Sequence, residues 1–231
     1  MVHVSDVSKT VAAGILLGLI LLVGCSRLPA YSQPRVEISN VSGATQVISY
    51  RKLTVADFHA PALPKDLISH RQDLNAHTSV AIRTRPEAKY RFSFEGSKAS
   101  QLKCGHAENL GFEAVMLPEK SWWSPTLAAD KEAYVLQHEQ VHFALMEVAA
   151  RQLNRRAAKE RDQLTACAED SEAVTARMSV TIDRWMAESQ QETLKQHGEF
   201  DEATSRLYAL KVQQWWYDRA MKELLDLAEW Q

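Results

Sequence analysis

After Pro125 the chain has no further proline and a single glycine, Gly198, over its last 106 residues. A stretch this poor in turn formers excludes the closely spaced turns of an all-β architecture from that half. Cysteine is scarce as well: Cys25, Cys104 and Cys167 are the three present, and none stands in a Cys-x-x-Cys spacing. Thiolate metal sites and disulfide-dense scaffolds are therefore not expected. Basic residues show no excess, with a net charge of −2 and a pI near 6.5, and no nucleic-acid partner is expected. The eight histidines form no dense tract of the kind that buffers metals. No apolar run reaches the roughly 20 residues of a membrane span.

What is there begins with an apolar run of thirteen residues, Val11 to Val23, that closes on Leu22-Val23-Gly24-Cys25. Its length suits the core of a signal peptide. The small residues before Cys25 resemble the lipobox of bacterial lipoproteins, which implies residues 1–24 as a signal peptide and Cys25 as the lipidated N-terminus. An uncleaved anchor is the alternative. Ser26 follows, and the expected place is the cell envelope, attached to the outer membrane and facing the periplasm. Residues 25–36, with Pro29 and Pro34, read as a tether. In an oxidising compartment Cys104 and Cys167 are left either to form a disulfide or to remain two buried thiols.

Residues 37–231 are expected to form one α+β domain. In residues 37–125, Gln46–Leu53, Ser79–Arg83, Lys89–Phe94 and Phe112–Leu117 alternate apolar and polar residues, which predicts a small antiparallel sheet. Ser121-Trp122-Trp123-Ser124-Pro125 is expected to make a loop. In residues 126–231 the Ala-, Glu-, Leu- and Arg-rich composition predicts three long helices, over about 129–164, 169–196 and 201–229, with Gly198 ending the second.

The chemistry concentrates at Leu136-Gln137-His138-Glu139-Gln140-Val141-His142-Phe143. Residues four apart on a helix share a face, so His138 and His142 can grip one ion, and zinc suits nitrogen donors. Glu139 is turned about 100° from His138. There it is the candidate general base toward a metal-activated water.

The same residues, with Glu147 and Ala150-Arg151, resemble a family of predicted secreted or periplasmic zinc-dependent proteases, the domain of unknown function numbered 922. Members typically read His-Glu-Gln-x-His-Phe, then a glutamate, then Ala-Arg. Tyr50-Arg51-Lys52-Leu53-Thr54-Val55-Ala56-Asp57-Phe58 and Lys120-Ser121-Trp122 also fall in the family's order. The resemblance covers about Tyr50 to Arg151. It implies Zn2+ as cofactor, a zincin-like metal helix and peptide hydrolysis. Further on, Phe200-Asp201-Glu202-Ala203-Thr204 matches the start of an aromatic-Asp-x-x-Thr-x-His-Gly pattern, whereas Arg206 and Leu207 stand where that pattern has His-Gly.

A third zinc ligand is left open by the sequence. Asp201 and His197 are favoured, since a turn between the last two helices brings them in from another direction. Glu147 lies roughly 180° around the helix from His138, which makes it a less favoured third ligand, and it is expected to hold a nearby loop or cap a buried polar contact; Glu169 and Glu172 are further candidates. Trp215, Trp216, Tyr217 and Trp230 are read as core, His70, His77 and His106 as loop histidines, and Arg151, Arg155, Arg156, Lys159 and Arg161 as a solvated helix face. The expected function is a lipid-anchored envelope zinc-dependent peptidase acting on peptide or protein substrates. The alternative is a non-catalytic envelope lipoprotein that binds a protein partner, with zinc structural or absent.

Overall fold

The computed structural model describes residues 46–70, 72–95, 102–205 and 208–231. The apolar run, Cys25, the tether, Arg206 and Leu207 lie outside the described residues. The architecture is α+β, with antiparallel sheets first and three long helices after them. The strands are β1 (Ile48–Ser49), β2 (Ala76–His77), β3 (Val80–Thr84), β4 (Lys89–Glu95), β5 (Leu102–Glu108), β6 (Phe112–Met116), β7 (Trp122–Trp123) and β8 (Thr165–Ala168). The helices are α1 (Ala129–Lys159), α2 (Ser171–Thr204) and α3 (Leu210–Asp226).

The expected single sheet is instead three small ones, ordered β1-β6-β3, β2-β7 and β4-β5-β8. β2, β5, β7 and β8 escape period-two reading. β5 carries a central glycine, and its need for one is steric: a Cβ on Gly105 would lie 2.4 Å from Val174 Cγ1, where α2 crosses the strand. β8 interrupts the helical half, so α1 ends at Lys159 rather than near 164. The expected loop at Trp122–Trp123 pairs with β2 in the register Ala76↔Trp123 and His77↔Trp122.

α1 is the central element because it is apolar on two sides. Phe143, Met146, Ala150, Leu153 and Ala157 recur at intervals of three and four and pack on Phe112, Ala114 and Met116 of β6. Val141, Ala144, Leu145 and Val148 face the other way, against Phe200 of α2 and Trp216, Ala220 and Leu224 of α3. A core of this kind loses about 3–5 kcal/mol for a Phe→Ala change such as Phe143→Ala.

α2 corrects a sequence expectation that matters for the site. Asp170 caps its start by accepting from Ala173 N at 2.8 Å, and the helix then runs unbroken through Gly198 to Thr204. Thr193, His197, Phe200, Asp201 and Thr204 form a buried stripe at helical spacing. Packing that stripe against α1 outweighs the roughly 1 kcal/mol that a glycine costs a helix interior. Asp201 and His197 thus sit one turn apart on one helix, not in a turn between two.

Cys104 and Cys167 face each other across β5 and β8 and are disulfide-bonded, 63 residues apart in sequence. Closing a loop of that length removes unfolded-state entropy worth about 4 kcal/mol in the chain-entropy model. Reduction, or the pair Cys104→Ser and Cys167→Ser, is expected to lower Tm by roughly 10 °C at 2–4 °C per kcal/mol. Calorimetry with and without reductant measures it, and an unchanged Tm would contradict the bond.

Candidate metal centre

α1 and α2 meet at the site, α1 offering two donors one turn apart and α2 a third. His138 and His142 stand four residues apart on α1, and their ring centres are 4.8 Å apart. Opposite them, Asp201 Oδ1 lies 3.0 Å from His138 Nε2 and 3.0 Å from His142 Nε2. The two Nε2 atoms are 3.1 Å apart. Among the described residues these three form the group close enough to hold one ion. Tetrahedral zinc with bonds of 2.0–2.2 Å spaces its donors about 3.3 Å apart, so the triangle matches within a few tenths of an ångström.

The hydrogen bonds around the triangle leave lone pairs turned toward its centre, where a cation could be held. Thr204 Oγ1 donates its one proton to the Phe200 carbonyl at 2.7 Å, and therefore meets His138 Nδ1, 3.3 Å away, as an acceptor. His138 then carries a proton on Nδ1 and, as a neutral ring, aims the Nε2 lone pair at a carboxylate oxygen that also has only lone pairs to offer. One cation removes the conflict for all three donors. Phe200 stacks on His138 at 4.4 Å and sets the ring plane.

The electrostatics run the same way. Burial alone would raise the Asp201 carboxyl, but His142 and His138 beside it hold it well below the usual carboxylate range. Burial works to lower His142, yet the charge and hydrogen bond of Asp201, with Glu139 further off, raise it above the ordinary histidine value. His197 shows the opposite balance: burial, then the neighbouring His142, pushes it down to about 3 and keeps it neutral. Its ring centre is 4.8 Å from that of His142. The side chains of His138, His142 and Asp201 are each 13 % exposed, so a small ligand can reach them.

Glu139 is 5 % exposed and accepts from Thr78 Oγ1 at 2.5 Å, in the link between β2 and β3. Thr78 engages Oε2, and no sequence periodicity singled it out. Gln140 has a separate task. Its Oε1 accepts from Leu53 N at 2.7 Å and its Nε2 donates to the Arg51 carbonyl at 3.2 Å, which clamps residues 51–53 to α1. Downstream, Asp57 holds the same segment by accepting from Arg51 and Thr54.

Other sequence candidates lie elsewhere. Glu147 accepts from Arg151 Nε at 2.8 Å and from Ala114 N at 3.2 Å, tying α1 to β6. Arg151 is buried in that pair and donates to the Leu224 carbonyl, so it does not belong to a solvated face. Glu169 precedes α2 and Glu172 lies in its first turn. At 1.5 Å per residue Glu172 is about 44 Å along α2 from Asp201. His106 contacts Thr165, and His77 lies on β2. Trp216 is core, whereas Trp215 is 56 % exposed.

Outer-shell changes at zinc sites cost 10–100-fold in affinity, so loss of a direct donor is expected to cost on the order of 100-fold or more. Competitive zinc titration of Asp201→Ala measures this, and wild-type affinity would remove Asp201 from the donor set. Glu147→Ala is expected to leave zinc affinity intact and to destabilise the fold by about 3–5 kcal/mol, because it strands Arg151 as a buried charge. Compared with known proteins, the chain matches no family model, no curated protein and no solved structure.

Proposed function

We propose that the chain is a lipid-anchored envelope peptidase that depends on zinc. The observation that carries this reading is the triangle of His138, His142 and Asp201 donors with the Glu139 carboxylate on the next helical position. Three protein donors leave a tetrahedral ion one open position, the pattern of catalytic rather than structural zinc sites. Bound there, zinc supplies Lewis-acid polarisation of a carbonyl and makes water acidic enough to attack at neutral pH.

The remaining steps belong to the chain. His138, with Nδ1–H directed at Thr204, keeps Nε2 available as a donor, and Asp201 contributes a full negative charge. Glu139 takes the proton of the attacking water and hands it to the leaving amine. Thr78 holds Oε2 of that carboxylate, which leaves Oε1 for the proton transfer. The disulfide between Cys104 and Cys167 supports an oxidising compartment, in keeping with lipidation at Cys25 and a periplasm-facing place on the outer membrane. The substrate class that fits is peptide or protein.

A non-catalytic envelope lipoprotein would share the metal centre and differ at Glu139, which gives the test. Full-length protein in detergent is expected to bind one zinc per chain and to cleave casein. Glu139→Gln is expected to keep the zinc and lose about 100-fold or more of kcat/KM, the range for a removed general base. Equal turnover by both proteins would contradict the peptidase.

A further inference from the structure

Two buried nitrogens at the centre have no hydrogen-bond partner among the described residues: His142 Nδ1 and His197 Nε2. They belong to neighbouring rings, whose centres are 4.8 Å apart at an interplanar angle of 48°. A buried polar atom left unpaired is costly, so two on adjacent rings call for one explanation. Histidines that ligate a metal through one nitrogen donate the other N–H to an acceptor, which fixes tautomer and orientation. On His138 that acceptor is Thr204 Oγ1. The His142 ring instead packs beside His197, and α2 presents His197 one turn before Asp201 on the same buried stripe.

We propose that His197 is the positioning residue for His142. Its Nε2 accepts the Nδ1–H of His142 through one buried water, and so holds the Nε2 lone pair of His142 toward the metal. α2 then serves the centre twice, with Asp201 as a donor and His197 as the support of a donor on α1. A fourth-donor role for His197 explains less, because it leaves His142 Nδ1 unpaired. It also asks His197 to join a triangle of 3.0–3.1 Å edges to which it does not belong.

The inference rests on the metal reading of the site, and the experiment separates the two. Zinc affinity is measured by competition on the full chain for wild type, His197→Phe, His197→Gln and Asp201→Asn, with thermal melts as the check on folding. His197→Phe removes the acceptor and is expected to weaken zinc binding about 10-fold or more. His197→Gln retains an acceptor oxygen and is expected to restore most of the loss. In zinc-loaded wild type labelled with 15N at histidine, the His142 Nδ1–H is expected to be protected from solvent exchange. That signal is read without any variant. Unchanged affinity in His197→Phe, equal losses in the Phe and Gln variants, or an unprotected Nδ1–H would overturn the positioning role alone, provided that wild type binds zinc and Asp201→Asn does not. No zinc uptake by wild type would overturn the metal reading and this inference with it.

Discussion

The contact between α1 and α2 is organised around a conflict of lone pairs. Two imidazole nitrogens and a carboxylate oxygen meet within 3.1 Å of one another in a nearly buried place. With the Nδ1 of His138 committed to Thr204, protons cannot serve all three contacts while the rings stay neutral. A charged imidazole against Asp201 would satisfy one edge of the triangle and leave His142 and His138 facing each other. A divalent cation satisfies all three edges at once and repays the burial of the carboxylate.

Rigidity at the centre comes from the polar residues of a helix that is otherwise apolar on two sides. Each is committed to a different part of the fold: Gln140 to the backbone of residues 51–53, Glu147 to β6, Arg151 to the end of α3, and Asn154 to the backbone at Phe112 and Trp230. Gln140, Glu147 and Arg151 are buried, so loss of a partner costs more than the bond itself contributes. They fix the rotation of α1 about its axis, and that rotation decides where His138, Glu139 and His142 point. The segments that resembled a zinc-protease family, Tyr50–Phe58 and the run from His138 to Arg151, are in this fold the two sides of one clamp.

Much of the fold was legible because its two halves obey different chemistry. Loss of proline and glycine after Pro125 marked the helical half, and helical spacing marked His138 and His142 as co-facial. The third donor stayed open because Gly198 reads as a helix stop; with α2 broken there, Asp201 and His197 fall into a turn and look interchangeable. Packing of the stripe from Thr193 to Thr204 overrides that local preference, and then Asp201 meets both imidazoles while His197 backs one of them. β5 and β8 were illegible for a related reason, since Gly105 and the Thr-Ala-Cys-Ala of β8 have weak strand character and are paired by tertiary contacts and the disulfide. Thr78 carries no periodic or motif signal at all, and only the approach of the β2–β3 link to α1 gives it a role. Arg151 was misread from its place in a charge run because sequence does not show that Glu147 is buried beside it.

The decisive quantity is the coordination shell of the proposed zinc. X-ray absorption at the zinc edge of the loaded full chain measures this directly. The expected result is two imidazole nitrogens and a carboxylate oxygen at about 2.0–2.2 Å, with the oxygen contribution removed in Asp201→Ala. Failure of the protein to bind zinc, or a bound zinc whose shell is unchanged in that variant, would contradict it.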